Sequence, residues 1–140
     1  MEINRFFGEF AFLSNFYPCE IVFDGEKYTS VENAYQAAKF ADKEYRTLIR
    51  EVSASKAKKI GRGGKIRGDW EFVKLSIMEN LLRQKFDDIK LKKLLLETKE
   101  NNLVEGNTWS DFYWGVCNGK GENNLGKLLM KIRSELKDNF

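Results

Sequence analysis

The spacing of apolar positions changes several times along the chain, and each change predicts an element. Residues 6–17 are aromatic and loosely alternating (Phe6, Phe7, Phe10, Phe12, Phe16, Tyr17), and Pro18 ends the run. Ile21, Val22 and Phe23, then Asp24-Gly25, then Glu26, Lys27 and Tyr28 predict a β-hairpin, because Asp-Gly readily takes the positive φ angles of a type I′ turn. Thr29 to Glu32 has capping-box spacing, so a helix is expected from about Ser30 or Val31 to about Phe40. Asp42 is expected to cap a short helix through Tyr45, Leu48 and Ile49. Ser53 or Ser55 opens a third helix, which Gly61 ends as a C-cap glycine.

Residues 62–68, Arg-Gly-Gly-Lys-Ile-Arg-Gly, read as a flexible basic loop. Asp69 is placed to cap the longest helix, Trp70 to about Phe86, with Trp70, Val73, Ile77 and Leu81 on one stripe. Asp87 or Asp88 caps a further helix through Leu91, Leu94 and Leu95, and residues 103–105 read as a short strand. Residues 109–117 form a second aromatic cluster of strand and loop, followed by a Gly/Asn turn. A last helix, about Asn124 to Lys137, buries Leu125, Leu128, Leu129, Ile132 and Leu136. The fold class that follows is α+β: a mainly helical single domain with a small β-hairpin or sheet.

Composition narrows the chemistry. A chain of 140 residues suits one core. With 24 basic and 21 acidic residues it carries a net charge of +3, too balanced to mark a nucleic-acid binder. No apolar run reaches the length of a membrane span and no signal peptide is visible, so no membrane partner and a cytoplasmic location are expected. Cys19 and Cys117 are expected to be free thiols. There is no histidine, which excludes Ser–His and Cys–His triads and H-E-x-x-H zinc sites. Acid–base work falls to Asp, Glu, Lys, Tyr, Cys or water, and a divalent cation on oxygen ligands stays open.

Three places carry candidate chemistry. Glu32 is either a general base or cation-stabilising carboxylate, or only the acid of the capping box. Lys39 lies two helical periods beyond Glu32 on nearly the same face; it is a phosphate partner, an amine nucleophile, or a surface lysine. Asp111 stands among Trp109, Phe112, Tyr113 and Trp114 and before Gly115, which suits either a partly buried acid beside a stacking platform or a turn in an aromatic core strand. The basic loop after Gly61 lacks P-loop spacing and Gly-x-Gly-x-x-Gly, so it carries little nucleotide signal.

These residues also fall in a recognisable pattern. Phe12-Leu13-Ser14-Asn15-Phe16-Tyr17-Pro18, a hairpin, and Val31-Glu32-Asn33-Ala34-Tyr35-Gln36-Ala37-Ala38-Lys39 resemble the fingerprint of the NADAR (YbiA-like) family. Ala57-Lys58 with Gly61-Arg62, Asp69-Trp70 with Met78, Lys85-Phe86, Leu103-Val104-Glu105, Asp111-x-x-Trp114-Gly115 and Asn124-Leu125-Gly126 extend the match over nearly the whole chain. Cys117 departs from it, standing where relatives carry glycine.

The resemblance implies an N-glycosidase without cofactor or metal. The substrate it implies is either ADP-ribose on guanine, including guanine in nucleic acid, or a phosphoribosylamino-pyrimidine intermediate of riboflavin synthesis. It makes Glu32, Lys39 and Asp111 catalytic candidates, and Asn15, Phe16, Tyr35, Arg62, Trp70, Trp114 and Gly115 substrate-contact candidates. A non-catalytic module binding ADP-ribose or another nucleotide, and a small structural partner protein, are the competing expectations.

Overall fold

The computed structural model describes residues 1–139. Its elements are, in order, β1 (Glu2–Ile3), a 3-10 helix (Gly8–Leu13), β2 (Pro18–Phe23), β3 (Glu26–Ser30), α1 (Val31–Ala38), α2 (Lys43–Arg50), α3 (Ala54–Ile60), α4 (Trp70–Lys85), α5 (Ile89–Glu97), β4 (Asn102–Leu103) and α6 (Asn124–Asp138). The class is α+β and mainly helical, as expected. Contacts divide the chain into two compact units, Asn15–Lys85 and Met1–Ser14 with Phe86–Phe140.

The unit Asn15–Lys85 is built on α1. The hairpin β2–β3 turns at Asp24 and Gly25, both at positive φ (48° and 80°), the conformation that Asp-Gly was expected to supply. The chain then passes straight from β3 into α1, which packs against α2, α3, α4 and the hairpin. Every residue of α1 is buried. Ala34, Ala37 and Ala38 are the small positions that let neighbouring elements approach closely.

The helix start corrects one expectation. The cap is Ser30, whose hydroxyl accepts from Asn33 N, and not Thr29. Glu32 is therefore not the acid of a capping box. Asn33 does the fastening instead. Its Nδ2 donates to Ile49 O and Val52 O, both at 2.9 Å, and so closes carbonyls at the end of α2 that have no helical partner beyond them.

Other caps fall where the sequence places them: Asp42 for α2, Ser53 for α3 and Asp88 for α5. Asp69 differs. Its backbone carbonyl opens α4, while its carboxylate is taken by Arg67 at 2.6 and 3.0 Å. The loop before it is pinned, since Arg67 N donates to Lys39 O and Gly64 lies against the rings of Phe40 and Tyr45. The buried positions of α4 are Trp70, Met78, Leu81, Leu82 and Lys85, while Val73 and Ile77 are only half-buried.

Lys85 is 1% exposed, and its Nζ lies 5.7 Å from the centre of the Tyr17 ring. Loss of solvation pushes its ammonium down to about 7, against a smaller opposing pull from Cys19.

In the other unit, β1 and β4 pair in parallel, Glu2 with Asn102 and Ile3 with Leu103. Neither β1 nor the 3-10 helix was expected from the sequence. Arg133 on α6 donates to Thr98 Oγ1 and Asn101 O and so fixes the turn between α5 and β4. Asn123 sits at the start of α6 with φ 54°, and its amide bonds Glu105 N and Leu103 O.

Asn33→Ala should destabilise the protein by about 2–4 kcal/mol in urea unfolding, because two carbonyls lose their donor. A change under 0.5 kcal/mol would show that these bonds are replaced by water. Lys85 gives a pH signature. The unfolded lysine, near 10.5, keeps its proton where the folded one has lost it. Stability should therefore rise between pH 7 and 10.5. Below that window the folded state carries the whole desolvation penalty. Lys85→Met should flatten the rise and add stability on the order of a few kcal/mol at pH 7 and below.

Candidate active site

Within Asn15–Lys85 the predicted residues are joined by short contacts. Asn15 meets the start of α1, where Glu32 N donates to Asn15 O at 3.0 Å. Its side-chain Nδ2 leans on Met78 Sδ at 3.6 Å, and its Oδ1 is buried with no hydrogen-bond partner. The rings of Tyr35 and Trp70 stand 5.1 Å apart and tilted. Lys39 Nζ lies 5.6 Å over the Tyr35 ring, and Lys58 Nζ 5.9 Å over the Phe16 ring.

The electrostatics of the cluster are uneven. Glu32 is 7% exposed and receives a 2.6 Å hydrogen bond from Gln36 Nε2. Lys39 is pulled below the ordinary lysine range, first by its own burial and then by Lys74, Arg62 and Lys58; Glu32 pulls the other way. One carboxylate thus faces a group of cations, with aromatic rings beside them. That arrangement suits an anionic ligand such as a phosphate, and burial makes it easier for the Lys39 amine to shed its proton.

Asp111, Trp114 and Gly115 belong to the other unit and meet one another in a single loop. Asp111 Oδ1 accepts from Tyr113 N (3.2 Å) and Trp114 N (2.9 Å), which folds the chain back in an Asx turn. Asn107 braces it, its Nδ2 donating to Asp111 O and its Oδ1 accepting from Asp111 N. The Tyr113 and Trp114 rings meet edge-on at 4.8 Å. Gly115 is packed so closely on Glu105 and Asn107 that a Cβ there would overlap Glu105 Oε2 and its backbone carbonyl. The expected strand over 109–117 is absent; the loop is tied by bridges from Gly106 to Val116 and from Cys117 to Lys120. Cys117 is buried at the head of a turn through Asn118 and Gly119, both at positive φ.

Three contributors were given no role in the sequence reading. Lys58 and Lys74 come from α3 and α4, and only tertiary packing brings their charge to Lys39. Gln36 stood in the family pattern without a role of its own, although its spacing of four from Glu32 is a readable signal. Among the described residues no group of three or more Cys, Asp or Glu side chains is placed to hold a metal ion, and no helix is long and apolar enough to cross a membrane.

The NADAR domain family matches residues 5–137, and the chain belongs to that family. It is 43% identical over 135 residues to the N-glycosidase YbiA of Shigella boydii, covering 93% of this chain and 82% of that protein. The solution structure of YbiA from E. coli superimposes with a TM-score of 0.84 at 38% identity, covering 99% of this chain and 88% of that one. A riboflavin biosynthesis protein of Vibrio vulnificus is 35% identical over 133 residues, which span 91% of this chain but 36% of that protein. The chain is an enzyme of the N-glycosidase class. This sets aside the two non-catalytic expectations.

The Asx turn separates two possible uses of Asp111. Asp111→Ala removes the acceptor of two backbone amides and should cost about 1–3 kcal/mol. Asp111→Asn keeps an Oδ1 acceptor and should melt close to the native chain. Equal melting temperatures for the two variants would show that the turn does not depend on this side chain.

Proposed function

We propose that the enzyme cleaves the bond between C1′ of a phosphorylated ribose and the nitrogen of a pyrimidine, as in a phosphoribosylamino-pyrimidine intermediate of riboflavin synthesis. The observation that carries this reading is the pairing of a buried carboxylate, Glu32, with a cation cluster formed by Lys39, Lys58, Arg62 and Lys74. The cations suit a sugar phosphate, with the Arg62 fork fitted to its oxygens. The Tyr35 and Trp70 rings suit a base or ribose face. Asn15 Oδ1 is an acceptor waiting for a donor, and a base amino group supplies one. A relative named for riboflavin biosynthesis supports the choice of substrate.

Lys39 is the nucleophile in this reading. Its burial favours the neutral amine. Nζ attacks C1′, the C1′–N bond breaks, and its electron pair leaves with the base, which takes up a proton. Glu32 accepts the proton released from Nζ and returns it to the ring oxygen as the sugar opens to a Schiff base. Water then hydrolyses the imine to free ribose phosphate and regenerates the amine. The family resemblance also leaves Asp111, in the other unit, a candidate catalytic residue and Trp114 a candidate substrate contact.

The test is release of ribose phosphate from the phosphoribosylamino-pyrimidine, run beside an oligonucleotide carrying ADP-ribosylated guanine. Turnover of the first and none of the second is expected. The reverse result would move the assignment to ADP-ribose removal. Glu32→Gln should lower kcat by about 100-fold or more. Asp111→Asn should lower it by at least about tenfold at a near-native Tm. Full activity in Asp111→Asn would leave that residue a loop-former only.

A further inference from the structure

Gly61 ends α3 with φ −64° and ψ −13°, ordinary right-handed helical values that any residue adopts. The left-handed cap that a helix-ending glycine predicts is not there. The backbone therefore gives no reason for glycine at this position. Space does. A Cβ on residue 61 would overlap Gln36 Oε1 and crowd its Cδ at 2.7 Å.

The Gln36 amide is unusual in its own right. It is 5% exposed, on the helix that carries the candidate carboxylate. Its Nε2 donates to Glu32 Oε2 at 2.6 Å, a charge-assisted length. Its Oε1 is buried and has no hydrogen-bond partner. An orphaned buried carbonyl lowers stability, so the amide is not placed here to strengthen the fold. Turning it over would bring Oε1 against the Glu32 carboxylate, acceptor against acceptor. The observed orientation is the one that an ionised Glu32 selects.

We propose that Gln36 is the positioning residue for Glu32, and that residue 61 is glycine because the positioned amide fills the space of a side chain. The inference rests on the reading of Glu32 as the working carboxylate. Donation from Gln36 holds that carboxylate in one rotamer, one helical turn from the amide and two from the Lys39 amine. Gly61 forms the wall that stops the amide from swinging back. Neither residue touches the sugar.

Steady-state kinetics with the phosphoribosylamino-pyrimidine test this. Gln36→Ala should lower kcat by about 10- to 100-fold with KM changed by less than about threefold, since substrate contacts are untouched. Gly61→Ala, which adds one methyl and removes no polar group, should lower kcat in the same way. The double variant should be no slower than Gln36→Ala alone, because both changes act through one amide. Gln36→Glu keeps the side-chain outline without the donated N–H. It should also lose kcat, and it carries the test if Gln36→Ala does not fold.

Native kcat in Gln36→Ala or in Gln36→Glu, with Glu32→Gln inactive, would overturn this inference alone. So would losses in the double variant that multiply. Native kcat in Glu32→Gln would overturn both this inference and the catalytic reading beneath it.

Discussion

A short helix with no exposed side chain carries a carboxylate and two amides into the interior of its unit, and the rest of that unit answers to this constraint. Buried polar groups must be paired or they destabilise the fold by about 1–3 kcal/mol each. Asn33 is fully paired and does structural work, tying α1 to the end of α2. Glu32 is bonded by Gln36. Two acceptors are left over, Asn15 Oδ1 and Gln36 Oε1. The first is the ligand-seeking acceptor of the proposed reaction; the second is the expense of holding Glu32 in place.

The same burial sets the chemistry. In water an amine such as that of Lys39 would stay protonated and a carboxylate would be screened. Away from water the ammonium is disfavoured, and three further cations from α3, the following loop and α4 press in the same direction. Glu32 alone opposes them, so the cluster stays net positive. In the proposed reaction a phosphorylated sugar would meet positive charge for its phosphate and an amine for its anomeric carbon. No histidine is needed for this arrangement, and the chain contains none.

Much of this was legible in the sequence, for local reasons. The hairpin follows from Asp24-Gly25, whose positive φ angles are a local property. The helices follow from period and from Asp42, Ser53 and Asp88 as caps. The cap of α1 was misread by one residue because Thr29 and Ser30 carry the same hydroxyl; which of them caps depends on where the strand stops. Parallel pairing of Glu2–Ile3 with Asn102–Leu103 joins segments about a hundred residues apart, and two-residue strands leave no periodic trace. Lys85 could not be read as buried, since lysine at a helix end is ordinarily solvated. At the site, Glu32 and Lys39 were visible by helical spacing. The charges of Lys58 and Lys74 were not, because they reach Lys39 only through the packing of α3 and α4 on α1.

The central claim is that the amine of Lys39, at the C-terminal end of α1, forms a covalent link to the sugar. Borohydride added during turnover of the phosphoribosylamino-pyrimidine, followed by peptide mass spectrometry, tests it most directly. The account predicts a reduced ribose phosphate adduct on Lys39 and on no other lysine. Sustained turnover with no adduct at Lys39 would contradict it and leave direct attack by water.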